Sequence, residues 1–412
     1  MASEYYIGLM SGTSIDGMDA ALCEVRQDGS FACLKTLSDE WPEHIKGRLH
    51  ELCSSGPNEL EKAGTAQNAV AAFSAVLVNR LLELAGLDPA QITAIGSHGQ
   101  TVRHRPEKGF SLQLDNAPMT ALLTGIDVWS DFRAQDIAAG GQGAPLTPLF
   151  HAKCFARPER WVFVVNLGGI ANMTVLAPGG KVELGFDCGP ANTLMDLVCR
   201  ELFNRPYDED GYLAQGGITN AAWLQAMLHE PYFIKPAPKS CGRELFGREF
   251  IAPYLDECLK TEADGERRRL GADLLHTLCD LTAALIAADI KEFMYNRGIN
   301  EAYDVILCGG GVRNTALLKS IHNMCEVCKM PDGPQHSVLL CSSLGIDPDF
   351  VEAQAFAYFA YLSSHGRLCD LKAVTGSEQP VLLGSFSPAP EGRFVRSCSA
   401  AAAARAAAAP EA

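Results

Sequence analysis

The sequence lacks an excess of basic residues, a long apolar run and any standard nucleotide-binding signature. Its 412 residues include 34 Lys and Arg against 49 Asp and Glu, and the formal net charge is −15. A field of that sign repels nucleic acid and anionic lipid surfaces, so we expect neither as a partner. A phosphate would have to be bound by local devices such as backbone N–H groups, helix N-termini or a few placed cations.

A secretion signal and a membrane span are also missing from the pattern. Residues 1–6 lead directly into an apolar strand, and the apolar stretch near residues 281–288 is too short to span a bilayer. Hydrophobic residues make up 47% and charged residues 20%, which excludes a disordered, collagen-like or coiled-coil chain. We therefore expect a cytoplasmic protein whose 15 cysteines remain reduced.

The CxxC pair Cys325 and Cys328 leaves two interpretations open. A zinc or redox site would need partner ligands, for which Cys308 and Cys341 are candidates, but the spacing matches no standard pattern. The alternative, a pair of ordinary thiols on or near a helix, is the one we favour.

The first half of the chain reads as a hairpin, a helix and a further strand. Strands are predicted at residues 5–10 and 19–26 around a small-residue turn, and helical periodicity covers residues 59–86. A short strand at residues 92–97 then ends in His98-Gly99-Gln100-Thr101.

The second half repeats this order without obvious residue identity. The predicted elements are strands at 161–166 and 173–176 around Gly168 and Gly169, a helix at 272–297, and a strand at 305–308 that ends in Gly309–Gly311. Length predicts two to three domains, and the repeat favours two similar α/β lobes around a shared cleft.

Three glycine or small-residue turns at strand ends favour nucleotide binding. Glycine lets a phosphate approach the backbone, and successive N–H groups form a concavity that holds anions. Each turn alone is typical of an ordinary hairpin, and none matches the P-loop or the dinucleotide fingerprint. The three together predict a phosphate-binding architecture.

Asp187 is the most informative single residue. It follows an apolar strand and precedes Gly189-Pro190, with a helix predicted from about residue 191 to residue 203. The carboxyl ends of strands are where open α/β sheets place ligands, and an ionised carboxylate there can accept a proton. Aspartate is equally suited to cap a helix N-terminus, so both roles stay open.

Other polar residues carry weaker signals. Asp16 and Asp19 flank the first turn, where they could hold Mg²⁺ through water or serve as ordinary turn residues. His98, Gln100, Arg103 and Arg105 could face an anionic substrate or form a solvated basic surface. Glu352 opens a predicted helix, where a carboxylate also favours the helix dipole.

The motifs taken together resemble a known family, the anhydro-N-acetylmuramic acid kinases of the sugar kinase, Hsp70 and actin superfamily. The segments that carry the resemblance are GLMSGTSIDGMD (8–19), IGSHGQTVRH (95–104), DFRAQDIAAGGQGAPL (131–146), VVNLGGIANMT (164–174), GFDCGPANTLMD (185–196), PKSCGRELF (238–246), CGGGVRNTALLK (308–319) and VEAQAFAYFA (351–360). Cys241 departs from this pattern, because the family typically has threonine there.

The resemblance implies an α/β fold of two actin-like (ribonuclease H-like) domains flanking an ATP cleft. We expect domain I to comprise residues 1–135 completed by 366–398, domain II to comprise residues 136–365, and the Ala-rich residues 399–412 to be an appendage. It also implies a homodimer and a role in recycling cell-wall amino sugars.

The implied reaction is the conversion of 1,6-anhydro-N-acetylmuramic acid, ATP and water to N-acetylmuramic acid 6-phosphate and ADP. Asp187 would be the general base that draws a proton from water attacking the anomeric carbon. The opening 1,6-anhydro bridge would present its oxygen to the γ-phosphate.

The resemblance also assigns binding residues. The ATP-binding candidates are Gly12, Thr13, Ser14, Ile15, Asp16, Gly17, Met18, Asp19, Gly168, Gly169, Gly309, Gly310, Gly311 and Asn314. The substrate-binding candidates are His98, Gln100, Thr101, Asp131, Arg133 and Glu352, and Asp16 and Asp19 are the candidate Mg²⁺ residues, through water.

Rival functions are a levoglucosan-type anhydrosugar kinase, a chaperone or filament ATPase of the same fold, and a non-catalytic sugar sensor. A lactyl ether is anionic and should have a cationic partner, for which Arg103, Arg105 and Arg133 are available near the cleft motifs. A chaperone or filament protein would need a further binding module, for which only the short tail is left.

Overall fold

A computed structural model describes residues 3–242, 244–328 and 333–397. In chain order, the strands are β1 (Glu4–Ser11), β2 (Gly17–Val25), β3 (Phe31–Glu40), β4 (Ile92–Arg105), β5 (Phe110–Leu114), β6 (Val128–Ser130), β7 (Trp161–Leu167), β8 (Ile170–Leu176), β9 (Val182–Pro190), β10 (Tyr303–Cys308), β11 (His336–Leu340) and β12 (Ser385–Ser387). The helices are α1 (Glu43–Leu52), α2 (Glu59–Ala85), α3 (Ala117–Thr124), α4 (Ala134–Ala138), α5 (Pro148–Phe155), α6 (Asn192–Phe203), α7 (Tyr212–Gln215), α8 (Ala221–Leu228), α9 (Arg248–Lys260), α10 (Asp264–Asn296), α11 (Thr315–Val327), α12 (Val351–Ser364) and α13 (Lys372–Thr375).

The chain divides into two compact units. Unit 1 comprises Met1–Phe150 and Phe350–Ala412, and unit 2 comprises His151–Asp349. These boundaries differ from the expected ones at 135/136 and 365/366. The reason is long-range packing, since α12 lies on β1, β2 and β4 and therefore belongs to unit 1. The Ala-rich residues 399–412 lie outside the described residues.

Segment 136–150 also stays with unit 1, because buried hydrogen bonds tie its start there. The Asp136 carboxylate accepts hydrogen bonds of 2.7 Å from the Thr375 hydroxyl and from the Gly143 N–H. The first of these bonds joins the loop to the C-terminal part of unit 1.

Unit 1 is built on a sheet with the strand order β12-β6-β4-β1-β2-β3, with β5 paired to β4. β1, β2 and β3 are antiparallel neighbours, whereas β4 is parallel to β1 and β6 is parallel to β4. Apolar side chains of α1, α2 and α3 pack on one face of the sheet and form the core of the unit.

Unit 2 repeats the arrangement with the order β11-β10-β7-β8-β9. Here β7, β8 and β9 are antiparallel neighbours, and β10 and β11 run parallel to β7. When the strands of each unit are numbered along the chain, both sheets have the order 3-2-1-4-5. These are β3-β2-β1-β4-β6 in unit 1, without β5 and β12, and β9-β8-β7-β10-β11 in unit 2. This is the actin-like, or ribonuclease H-like, arrangement, which confirms the predicted fold class and the repeat of one topology.

Two glycines let α12 pack closely on the sheet of unit 1. A Cβ built on Gly8 would overlap the carbonyl oxygen of Ala353, and one built on Gly96 would overlap that of Phe356. Gly8 and Gly96 are register partners on β1 and β4, so one glycine row receives the helix.

The predicted ends of two strands are wrong. β4 does not end before His98 but continues to Arg105, because β5 pairs with its second half. β9 likewise runs through Asp187 to Pro190, and Asp187 pairs with Asn172 inside the sheet. In both cases the partner strand, which the local pattern does not contain, extends the element.

Two helices, α2 and α10, are long and apolar enough to cross a membrane by length and composition alone. The most apolar window of α10 is 72% buried in the structure and that of α2 is 44% buried. Both helices supply core side chains to their units. Buried core helices of globular proteins can have the same length and apolar composition as a membrane span.

Candidate active site

The turn between β1 and β2 in unit 1 is held by a buried serine. The Ser11 hydroxyl lies 2.7 Å from the Gly17 carbonyl and 2.6 Å from Oε1 of Gln100, and it accepts a 3.1 Å hydrogen bond from the Trp41 indole. The Gln100 amide also donates to the Gly12 carbonyl at 3.1 Å. Gln100, predicted to bind substrate, is thus fully buried and shapes the first glycine turn.

The predicted ATP-binding residues of this turn divide into two groups. Thr13 and Ser14 are exposed, and the space beside Gly12 is open, so their backbone can be approached from outside. The side chains of Ile15 and Met18 are each 1% exposed and belong to the core, which leaves only their backbone for ligand contact. Ile15 has a φ of 58°, the left-handed region that tightens the turn.

The two candidate Mg²⁺ carboxylates lie three residues apart, Asp16 in the turn and Asp19 on β2. Asp16 is exposed and forms a 3.3 Å ion pair with Lys46, whereas Asp19 is half-buried on β2. Two carboxylates with water completing the shell fit the oxygen chemistry of Mg²⁺. Within residues 3–242, 244–328 and 333–397, however, no cluster of three or more His, Cys, Asp or Glu side chains could hold a metal. Cys325 and Cys328 are among these described residues and belong to no such cluster.

His98 and Arg133 form a buried contact in unit 1. The Arg133 guanidinium lies 2.9 Å from Nε2 of His98 and donates to the Gly143 carbonyl at 3.1 Å. Because a guanidinium can only donate, Nε2 accepts and the ring proton is on Nδ1. Burial, with the Arg133 charge as a second cause, lowers the pKa of His98 to about 3, so the ring is neutral at pH 7.

Three further substrate candidates surround this pair. The Thr101 hydroxyl accepts a 3.0 Å hydrogen bond from Gln113 and lies 3.5 Å from Nε2 of His98. Glu352 is exposed in the first turn of α12 and interacts electrostatically with Arg133 and Asp19. Asp131 is exposed with a φ of 53° just before Arg133, and desolvation raises the pKa of its carboxyl.

The other cationic candidates are engaged elsewhere in unit 1. The Arg103 guanidinium donates to the Leu52 carbonyl and pairs with Glu59 at 2.5 Å. Arg105 is exposed and donates to the carbonyl of His104 at 2.9 Å. Of the three arginines considered from the sequence, Arg133 is the one that the structure brings together with the other candidates.

In unit 2 the turns at Gly168–Gly169 and Gly309–Gly311 follow β7 and β10 and meet at one edge of the sheet, the one formed by the carboxyl ends of these strands. β7, β9 and β10 run parallel, so their carboxyl ends share that edge. A Cβ on Gly311 would lie 2.7 Å from the carbonyl oxygen of Leu167, and one on Gly309 would overlap the Asn166 side chain. Gly310 has open space beside it. The small residues therefore create both the close packing of the turns and an accessible backbone surface.

A helix N-terminus completes this surface. The Asn192 amide, at the start of α6, donates to the carbonyls of Leu167 at 3.1 Å and Gly168 at 2.9 Å. The backbone N–H groups of Ala191 and Thr193 bond to the Gly169 carbonyl. The start of α6 is thus fixed on the Gly168–Gly169 turn, where a helix dipole favours an anion.

Asn314 caps α11 by accepting a 3.0 Å hydrogen bond from the Leu317 N–H. It lines a cleft of about 340 Å³ within unit 2 together with the Gly310-Gly311 backbone. Sequence reasoning missed most of its remaining lining, which comprises Asn192, Met195, Asp196, Tyr207, Asp208, Glu209, Asp210, Arg313 and Asp349. These residues come from four separate segments, so no local pattern could assemble them.

Asp187 lies at the same sheet edge, in register with a row of polar residues. Asn166 on β7 pairs with Asn172 on β8, which pairs with Asp187 on β9. Asp187 is half-buried, and its Oδ2 accepts a 3.0 Å hydrogen bond from the Cys241 backbone N–H. The hydrogen bond from Cys241 thus engages one of the two carboxylate oxygens.

Burial raises the pKa of Asp187 to about 6, against the opposing hydrogen bond from Cys241 and with a smaller contribution from the Glu244 charge. At pH 7 a carboxyl with this pKa is still about 90% ionised. It is more basic than an ordinary aspartate, and a base poised near the working pH is the kind that transfers protons efficiently.

Residues around Asp187 were missed by sequence reasoning. The Tyr232 hydroxyl donates to the Asp187 carbonyl at 2.8 Å, and the Asp187 N–H donates to the Lys239 carbonyl at 2.9 Å. Tyr232 and Lys239 are about 45 to 52 positions away in the chain, and only the PKSCGRELF motif gave a signal for the second.

Comparison with known proteins agrees with the geometry. The family model described as anhydro-N-acetylmuramic acid kinase matches residues 4–389. Proteins named anhydro-N-acetylmuramic acid kinase from Shewanella pealeana and Thiobacillus denitrificans are 41% and 42% identical over 94% of this chain, covering 100% and 98% of those proteins. The one from Nitrosomonas europaea is 40% identical over 93% of this chain and 100% of its own length.

Solved structures are more distant. The activator of the 2-hydroxyisocaproyl-CoA dehydratase from Clostridium difficile aligns with a TM-score of 0.43 and 11% identity over 88% of this chain and 96% of that one. The strand order itself shows the fold, and the match over nearly the whole chain shows the family. On that match, the chain belongs to the anhydro-N-acetylmuramic acid kinase family of phosphotransferases.

Proposed function

We propose that the protein converts 1,6-anhydro-N-acetylmuramic acid, with ATP and water, to N-acetylmuramic acid 6-phosphate in cell-wall sugar recycling. The observation that carries the proposal is Asp187, a half-buried carboxylate held by the Cys241 N–H at the sheet edge where two glycine turns and a helix N-terminus meet. The names of relatives about 40% identical over the whole chain support the choice of sugar.

Asp187 acts as the general base in this proposal. Its Oδ1 takes the proton of the water that attacks the anomeric carbon, while Oδ2 stays bound to the Cys241 N–H. The bond from the anomeric carbon to the bridging oxygen breaks, and that oxygen becomes the phosphoryl acceptor at position 6. A carboxyl with a pKa of about 6 is ionised at neutral pH and still basic enough for this step.

The nucleotide fits the backbone surfaces rather than cationic side chains. Gly12–Asp19 in unit 1 and Gly168–Gly169 in unit 2 would bind phosphate through their N–H groups, and Gly309–Gly311 with Asn314 would lie beside the adenosine. ATP supplies the transferred phosphoryl group, and Mg²⁺ near Asp16 and Asp19 would neutralise phosphate charge. This division suits a chain of net charge −15, because backbone dipoles bind anions without a basic field.

The sugar would be bound by His98, Gln100, Thr101, Asp131, Arg133 and Glu352. Arg133 is half-buried beside a neutral His98, so its guanidinium is the cation available for the lactyl carboxylate. Gln100 acts mainly by holding the first glycine turn. We further propose a cytoplasmic homodimer that binds neither membrane nor nucleic acid.

Turnover on two sugars tests the proposal. With ATP and Mg²⁺, we expect kcat/KM for 1,6-anhydro-N-acetylmuramic acid to exceed that for levoglucosan, which lacks the N-acetyl and lactyl groups. A preference for levoglucosan would contradict the substrate assignment while leaving the kinase assignment intact. Absence of ADP formation with either sugar would contradict both.

A further inference from the structure

Asp187 lies on an edge strand, and a loop takes the place of the next strand. β9 is the last strand in the sheet order of unit 2. The Asp187 N–H donates to the Lys239 carbonyl at 2.9 Å, and the Cys241 N–H returns a 3.0 Å hydrogen bond to the Asp187 carboxylate. The orientation of this carboxylate therefore depends on the placement of loop 238–242.

The loop is anchored by one buried side chain. The Lys239 side chain is 5% exposed, and its Nζ lies 3.2 Å from Oδ1 of Asp289 and 3.1 Å from the Phe233 carbonyl. The same ammonium lies over the rings of Phe186 and Tyr232, 5.8 Å and 5.4 Å from their centroids. It thus joins the loop to α10, to the segment at residues 232–233 and to β9.

Asp289 provides a rigid attachment point. Its side chain is 11% exposed and projects from α10, a 33-residue helix whose apolar residues form much of the unit 2 core. An ion pair fixed to such a helix leaves the loop little freedom to move away from β9.

We propose that Lys239 and Asp289 are positioning residues, whose buried ion pair fixes loop 238–242 so that the Cys241 N–H orients the Asp187 carboxylate. The inference rests on the proposed role of Asp187 as base. A buried ion pair is weak evidence for stability, since apolar residues of similar size often hold a fold as well. An apolar pair makes no directional hydrogen bonds, so it would not fix the direction of the loop backbone as Lys239 and Asp289 do.

The charged and titratable groups that interact with Asp187 come from several elements. They are the Glu244 carboxylate, the Cys188 and Cys241 thiols and the Tyr232 phenol. Burial raises the pKa of Cys241 to about 12 and also raises that of the Cys188 thiol, so both stay protonated at neutral pH. The Lys239 ammonium contacts Asp289 and the Phe233 carbonyl rather than the Asp187 carboxylate, so it acts on that carboxyl through the loop.

The test compares two double variants that each remove both members of an ion pair in unit 2. Lys239→Met/Asp289→Leu removes the anchor. Arg160→Met/Asp304→Leu removes a 2.7 Å pair near the start of β10, which β7 and β8 separate from β9 in the same sheet. Arg157, the other partner of Asp304 at 3.6 Å, stays partly exposed to water in this control. For each full-length protein, the pH profile of kcat and the KM for each substrate are measured. The pKa of Asp187 is measured by carbon NMR, with Asp187→Asn used for assignment.

We expect the Lys239/Asp289 variant to lose about 10- to 100-fold in kcat, because misplacing a reacting group is costly even when binding is intact. Its KM for ATP should stay near the wild-type value. The pKa of Asp187, and with it the acid limb of the profile, should rise by about one pH unit, the effect of losing one hydrogen bond to a carboxylate. The Arg160/Asp304 control should keep the wild-type kcat, limb and pKa.

An unchanged kcat and Asp187 pKa in the folded Lys239/Asp289 variant would overturn the inference, as would a pKa that falls. An equal loss in the Arg160/Asp304 control would also overturn it, because the effect would then be one of stability. Failure of the proposed function has a different signature. In that case the wild-type protein does not turn over the anhydrosugar, while the NMR titration still reports whether the anchor sets the pKa of Asp187.

Discussion

The backbone N–H of Cys241 donates a 3.0 Å hydrogen bond to Oδ2 of Asp187, across 54 positions of sequence. Because the donor is a backbone group, the residue type at 241 matters little for it. Cysteine where the family pattern typically has threonine therefore keeps the contact that orients the carboxylate. The same contact opposes the rise in the pKa of Asp187 that burial causes.

The pH dependence of turnover follows from that pKa. Burial raises the pKa of Asp187 to about 6, and only the ionised form can accept a proton. We expect kcat/KM to be nearly level above pH 7 and to fall about tenfold for each pH unit below about 6. A profile measured in buffers of constant ionic strength checks this. An acid limb near pH 4, the range of an ordinary aspartate, would mean that a differently placed group is the base.

Replacing the base separates chemistry from binding. Asp187→Asn keeps the size of the side chain and an oxygen for the Cys241 N–H but cannot accept the proton, so we expect kcat to fall by about 10³-fold or more. ATP affinity, measured by calorimetry, should change little. Glu183→Gln is the control on the same strand, since it loses only ion pairs to Lys181 and Arg297 near the surface. Equal turnover by the wild type and Asp187→Asn would remove Asp187 from the mechanism.

The same substitution should stabilise the fold at neutral pH. The pKa of Asp187 is higher in the folded state than the roughly 3.9 of an unfolded chain, so ionisation is penalised by folding. The penalty is fully present above about pH 6 and vanishes below about pH 3, where both states are protonated. Urea unfolding should therefore show Asp187→Asn to be more stable than the wild type at pH 7 and equal to it near pH 3. A gain of the same size at both pH values would assign the effect to something other than charge.

The glycine row under α12 should tolerate no side chain. A Cβ at Gly8 overlaps the Ala353 carbonyl oxygen, so Gly8→Ala forces the helix away from the sheet and should cost about 3 kcal/mol or more. Gly47→Ala is the matched control. It lies exposed in α1 with nothing near the added methyl group and should gain about 0.5–1 kcal/mol. Free energies of unfolding from urea titration compare the two, and similar values would contradict the packing argument.

Arg133 and Arg103 should differ in their effect on the sugar. Arg133→Met removes the half-buried cation beside His98, and we expect the KM for the anhydrosugar to rise about tenfold or more while the KM for ATP stays unchanged. Arg103→Met removes an arginine already engaged with Leu52 and Glu59 and should leave both KM values near the wild type. Steady-state kinetics with each substrate varied in turn distinguishes them. A larger rise in the KM for the anhydrosugar in Arg103→Met than in Arg133→Met would contradict the assignment of Arg133 to the lactyl carboxylate.

Much of this fold could be predicted from the sequence, because glycine turns, apolar periodicity and the repeated order of elements are local signals. Asp187 stood out for the same reason, as a carboxylate between an apolar strand and Gly-Pro. What sequence reasoning missed depends on partners far along the chain. β4 extends past His98 because β5 pairs with it, and α12 belongs to unit 1 because Gly8 and Gly96 receive it.

The environment of the base shows the same limit. Lys239 and Asp289 are 50 positions apart, and no periodic pattern relates them before the chain is folded. Gln100 is an instructive case, because its place at a strand end suggested ligand contact. In the structure its amide is buried against Ser11 and Gly12, almost 90 positions away, and its contribution to binding passes through the turn that it holds.

In the proposed reaction, one site couples hydrolysis of the anhydro bridge to phosphorylation. Mass analysis of the product formed in ¹⁸O-labelled water tests it most directly. Attack by water at the anomeric carbon predicts one ¹⁸O at C1 of a 6-phosphosugar and none in the phosphate. A product without label at C1, or with label in the phosphoryl group, would contradict the account.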